Sequence, residues 1–311
     1  MNLDKEAIGG KLGGLAKNAG KLTADLSGKT KELIVRSKDS VVNTIDINKD
    51  GKVDIEDIIT LGLKTPGVGI SRNSFLSKEL IKRYPQEVVD EAIAANPAKA
   101  GIPVEEIDII ADHVIQFERT CVTGISAALG APGGAAIAAT ISADIVQYFG
   151  YMLRAAQKLL YLYGFPEIDV NEKSQAFDSE TLNILIICLG AMYGVAGANT
   201  AIKAMARAFA SGVEKKLLHA ALTKGTIYPI VKNVAKWFGK KMTKEVFSGF
   251  FKKAIPVVGS VVSGGITYLS FKPCCEKLKA SLQDTILSNP SHQSAEDEGI
   301  VVEIDGMDTE L

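Results

Sequence analysis

With 311 residues, 47% of them apolar and 23% charged, the chain holds enough material for one large domain or two modest ones. A net charge of −1 excludes the overall excess of Lys and Arg with which nucleic-acid-binding domains hold a polyanion. Ala and Gly are abundant while Phe, Trp and Tyr make up only 6%, a balance that favours closely packed helices over a β-sandwich, so the expected fold class is all-α.

Residues 1–30 repeat Gly, Lys and small side chains (GGKLGGLAKNAGKL), which predicts a basic arm too rich in Gly to hold a helix by itself. The opening MNLDKEAIGGKLGG lacks the apolar stretch of a signal peptide, so a cytoplasmic protein is expected. The four cysteines, Cys121, Cys188, Cys274 and Cys275, form no CxxC pair and read as reduced thiols. Helices are predicted over about 29–44 and about 55–64, and the polar loop between them completes a small module at 31–65.

That loop, DINKDGKVDIED, states its chemistry. Counted from Asp46 as position 1, oxygen ligands fall at Asn48 (3), Asp50 (5), the Lys52 carbonyl (7), Asp54 (9) and Asp57 (12), and Gly51 occupies position 6, where the backbone turns sharply. This is the ligand order of an EF-hand calcium loop. Position 12 is Asp57 instead of Glu, one methylene shorter, which weakens Ca2+ binding or shifts the preference toward Mg2+. The alternative is a polar turn that binds nothing. A second stretch, Asp169 to Glu180, has three acceptable positions but Lys173 and Ser174 where a ligand and Gly belong, so it reads as a polar loop.

Further along, helical spacing predicts helices from about Ser77, with Pro85 as a break, then over about 103–129 and 136–163. A long helix over 179–202 is expected to continue as a more polar one to about 222, followed by Lys-rich helices over about 228–253 and a last helix after Pro256. Together these make a helical domain over 75–285. Residues 287–311 are expected to stay unpacked, because 296–311 hold seven acids and no Lys or Arg.

Residues 120–143, 181–202 and 254–271 carry no charge. Their length suits buried helices of a large α-domain, membrane spans or shallow insertion. Residues 203–253 hold twelve basic and two acidic side chains, a net of +10, with Trp237, Phe238, Phe247, Phe250 and Phe251 among the lysines. Such a segment fits a solvated basic face over an ordinary core, or the surface of an anionic membrane or a protein partner; nucleic acid is the less expected partner, since no reader motif is present.

Catalytic motifs are weak. Gly124, Ser126 and Ala128 give half the outline of a nucleophile elbow, without its closing Gly or preceding strand. The alternative to a binding protein is an enzyme acting on a lipid or small hydrophobic substrate in a helical pocket. Asp144, Tyr148 and Arg154 would form its polar cluster facing an apolar cavity; a structural ion pair at these residues would favour the binding reading.

Two blocks carry a family resemblance. Residues 130–166 (GAPGGAAIAATISADIVQYFGYMLRAAQKLLYLYGFP) and 252–278 (KKAIPVVGSVVSGGITYLSFKPCCEKL) resemble the EcsC protein family of bacteria. The likeness covers about residues 75–285 and leaves the calcium loop outside, as an added N-terminal unit. It implies a cytoplasmic or membrane-associated protein and supplies no set of catalytic residues.

Overall fold

The computed structural model of the chain describes residues 55–65, 67–130, 137–168, 170, 179–212, 221–225, 227–241 and 260–289, of which 126–130, 137–145, 239–241 and 260–266 are described by backbone alone. Every regular element among these residues is an α-helix, so the fold is all-α as composition implied. The helices are α1 (Ile55–Leu63), α2 (Arg72–Leu80), α3 (Gln86–Ala94), α4 (Val104–Gly130), α5 (Ile137–Leu162), α6 (Ser179–Tyr193), α7 (Ala198–Ala210), α8 (Tyr228–Lys241) and α9 (Ser260–Gln283). The helix expected over 29–44 lies outside the described residues.

Two helices hold the centre. α5 packs against α1, α2, α4, α6 and α9, and α6 packs against α1, α5, α7, α8 and α9. α6 is buried on all sides from Asn183 to Met192, as a helix without a polar face must be. α4 shows the usual amphipathic pattern. Ile107, Ile110, Ala111, Val114, Ile115, Val122 and Ile125 recur at three- and four-residue spacing and are all buried. Glu105 and Glu106 in its first turn face the positive end of the helix dipole. The long pair α4 and α9 packs extensively along its length. One connected apolar core runs through the domain and includes Ile55, Ile59 and Leu63 of α1. Each such side chain, fully buried, contributes about 1.5–3 kcal/mol.

Three sequence expectations are corrected. The helix expected from Ser77 starts at Arg72. Arg72 is buried, and its guanidinium donates to the carbonyls of Ala92, Ile93 and Ala95 at the end of α3 and to Phe165 O, at 2.7–3.2 Å. A charge in that position caps four otherwise unmet acceptors.

The helix expected to run unbroken from 179 into the 200s is divided. Gly194 (φ 70°) and Gly197 (φ 86°) take the left-handed conformation, and the Val195 and Gly194 amides donate back to the carbonyls of Gly190 and Ala191. This is the Schellman ending of α6, after which α7 sets off in a new direction.

Pro273 lies inside α9 without ending it. Pro273 and Leu269, whose carbonyl loses its partner, are both exposed, so water can meet that acceptor. Finally, the stretch expected to be unpacked from 287 onward begins packed, and 290–311 lie outside the described residues. Leu287 and Ser288 are buried, and the Ser288 hydroxyl lies 2.8 Å from the carbonyls of Leu282 and Gln283 at the end of α9.

No helix among the described residues is long and apolar enough to cross a membrane. The 181–202 stretch is the clearest instance, cut into two short helices with its apolar residues in the core.

Candidate functional site

Of the six cation ligands read from the sequence, Asp46, Asn48, Asp50, Lys52 and Asp54 lie outside the described residues, and Asp57 is described. α1 begins at Ile55, directly after Asp54, so Asp57 falls in its first turn beside Glu56. Asp57 is only 2% exposed. A carboxylate in the first turn of a helix lies at the favourable end of its dipole. α1 itself is no loose appendage. Ile55, Ile58, Ile59 and Leu63 are in the core, and Gly62 lets Leu153 of α5 approach to 3.0 Å from where a Cβ would stand. Besides α5 and α6, α1 touches α8. Among the described residues, no three His, Cys, Asp or Glu side chains gather as a metal-ion ligand set.

The connection that follows α1 is clamped by a charge cluster. Glu118 of α4 is 0% exposed and accepts from Arg154 (Nε to Oε2 3.0 Å, Nη2 to Oε1 3.3 Å) and from Lys158 (Nζ to Oε1 2.5 Å), both on α5. Burial alone would raise the Glu118 carboxyl, but the cations Lys158 and Arg154 together outweigh it and hold it below the usual carboxylate range. Arg154 also donates to the Gly67 carbonyl. One turn on, Gln157 donates to Val68 O (3.1 Å) and accepts from the Ile70 amide (3.0 Å). Residues 67–70 are thereby fixed to α5. Phe75 and Phe117 flank the Lys158 ammonium at 5.5 and 5.7 Å from their ring centres.

Cys121, one turn beyond Glu118, is half-buried, and burial pushes its thiol up to about 11. At neutral pH burial therefore favours its thiol over the thiolate. The candidate catalytic trio does not converge as described. Arg154 turns toward Glu118 on α4, whereas the Tyr148 hydroxyl lies 3.1 Å from Ser270 Oγ on α9, and the Asp144 side chain lies outside the described residues. Burial raises the Tyr148 phenol far above its ordinary value. A cleft lined by Ala98, Ile102, Val104, Ile107, Leu162, Tyr163, Leu287 and Ser288 is too narrow to hold a water molecule.

Sequence reading missed Glu118. The signal was present: it interrupts the apolar stripe of Ile115, Val122 and Ile125 at helical spacing, where an acid must find cations or stay protonated.

Within the basic segment, α8 has two described faces. Val231, Val234 and Phe238 point into the core. Phe238 is 1% exposed, at 5.3 Å from the Tyr193 ring and 6.3 Å from Phe149, and Trp237 packs on Tyr193 at 5.7 Å. Phe238 therefore completes the core, and Trp237 packs against its edge while staying partly exposed; Phe247, Phe250 and Phe251 lie outside the described residues. On the other face Lys232 and Lys236 are exposed, and Lys224 is exposed just before the helix. Lys232 sits over the Tyr228 ring at 4.6 Å. None of the three has a carboxylate partner among the described residues, whereas Lys203 on α7 pairs with Asp284 at 2.5 Å.

Compared with family models, curated proteins and solved structures, the chain matches none of them.

Proposed function

We propose that the chain is a divalent-cation-binding, EcsC-like helical protein whose basic face docks on an anionic membrane surface from the cytoplasmic side. Asp46, Asn48, Asp50, the Lys52 carbonyl, Asp54 and Asp57 would take Ca2+, with Mg2+ as the competing ion. The observation that carries the reading is the place of Asp57: the last residue of a complete ligand series is buried in the first turn of a helix that starts directly after position 9. That is the relation an EF-hand loop has to its exiting helix. The contact of α1 with α8 supports a route from the ion to the basic face.

Supporting the docking half are the exposed Lys224, Lys232 and Lys236, in a stretch from 215 to 244 that holds eight lysines and no acid. Each basic residue near an anionic surface contributes about 1 kcal/mol.

Calorimetry with Ca2+ and then Mg2+ tests the first half. Saturable heat that disappears in Asp46→Ala is the expected result, and no heat with either ion reduces the loop to a polar turn. Co-sedimentation with phosphatidylserine vesicles, with Ca2+ or with EDTA, tests the second. The protein is expected to pellet with these and not with phosphatidylcholine vesicles. Equal recovery in the supernatant from both would turn the search toward a protein partner.

A further inference from the structure

We infer that residues 296–311 dock in cis on the exposed lysine face of α8 and shield it until an anionic surface displaces them. The face is real on its own terms: Lys224, Lys232 and Lys236 project from it without a described carboxylate, and Lys232 is held in place over Tyr228. The occupant is chosen by charge. Residues 296–311 carry Glu296, Asp297, Glu298, Glu303, Asp305, Asp308 and Glu310 with no Lys or Arg, against a net of +10 over 203–253.

Reach agrees with charge. The described chain ends at Asn289, just beyond Asp284, which is paired to Lys203 of α7. α7 starts against α8, where Gly197 meets Ile230. Residues 290–296 can span about 23 Å when extended, and the following residues can cover the roughly 21 Å length of a fourteen-residue helix. The acids alternate with Ile300, Val301, Val302 and Ile304, which have partly exposed Ile230 and Trp237 to cover.

The docked tail makes the face a regulated one. Whatever binds the lysines must first compete with a tethered acidic segment of the same chain. This second step rests on the membrane reading above, but the docking itself does not.

Trp237 is the single tryptophan of the chain and sits on α8, so it reports on the proposed contact alone. A dansyl group ligated to the C-terminus of the full chain is expected to take energy from Trp237 at low salt. Transfer should fall as NaCl is raised to about 1 M, where the screening length shrinks to about 3 Å. It should fall equally when the seven tail acids are changed Glu→Gln and Asp→Asn, and in Lys232→Gln with Lys236→Gln.

Transfer that ignores salt and both sets of substitutions overturns the inference. In the vesicle assay, a tail that covers the face nine-tenths of the time lowers apparent affinity about tenfold, so the neutralised tail should restore that factor. Salt-sensitive transfer with no vesicle binding by either form keeps the docking and removes the membrane.

Discussion

Glu118→Gln is the sharpest test of how the domain holds its first connection. The substitution keeps the shape of the side chain and removes the negative charge that pairs with both Arg154 and Lys158. Taking one partner from a buried ion pair costs about 3–5 kcal/mol, because the remaining charge is left without compensation. Here the cations retain 15% and 12% side-chain exposure and can turn partly to water, and Arg154 keeps the Gly67 carbonyl. The lower end, about 3 kcal/mol, is therefore expected. For a domain of this size that corresponds to a fall in Tm of roughly 6–12 °C.

The pH dependence carries a sign. The folded carboxyl of Glu118 titrates below its unfolded value, so its contribution is complete above about pH 4.3 and is lost as pH falls through the folded pKa. Urea denaturation followed by helix circular dichroism at pH 7 and again below pH 4 measures both effects. Wild type and variant should differ at neutral pH and converge in acid. A difference under about 0.5 kcal/mol at pH 7, the usual range of a surface change, would refute the reasoning. So would a gap that persists undiminished in acid. A triple variant, Glu118→Leu with Arg154→Met and Lys158→Met, should recover most of the loss, since whole buried charge clusters are replaceable by apolar packing.

Arg72→Met leaves the α3 carbonyls and Phe165 O without their donor and should cost about 3 kcal/mol or more, read from the urea midpoint at unchanged slope. Gly190→Ala sets a methyl 2.8–2.9 Å from the Val234 methyls between α6 and α8. Overpacking of about 1–3 kcal/mol there should exceed the gain of about 1 kcal/mol in helix propensity, and Val234→Ala in the same chain should relieve it. Burial pushes the thiols of Cys121 and Cys274 up to about 11 and of Cys188 up to about 12. Alkylation of the folded protein at pH 8, followed by mass spectrometry, should leave all three largely unmodified until denaturant is added.

Helix positions were legible because their apolar residues recur at three and four, and the order of helices could be read from Ile55 to Gln283. The breaks were harder. Nothing charged interrupts 181–202, and the ending of α6 depends on the amides of Gly194 and Val195 folding back onto Ala191 and Gly190, a bonding pattern that periodicity does not display. Pro273 leaves α9 whole, since a proline on the solvent side of a helix leaves only a wet carbonyl unmet. By composition, Trp237 and Phe238 fitted either an ordinary core or an interface. The three-and-four spacing of Val231, Val234 and Phe238 already separated them from Lys232 and Lys236, and that spacing decides which way they face. The cation loop is written almost wholly in its own twelve residues; the fold adds the burial of Asp57 and the company α1 keeps.

The fastening of residues 67–70 to Arg154 and Gln157 has a consequence for how the chain can come apart. A short link between two helices is ordinarily where amide hydrogens exchange first and where a protease enters. Here the Ile70 amide is bonded to a fully buried Gln157, so its hydrogen should exchange only when α5 itself opens. Limited digestion should then spare this link and fail to release α1 as a fragment. The stretch that carries Asp57 would be gained or lost only together with the whole helical body.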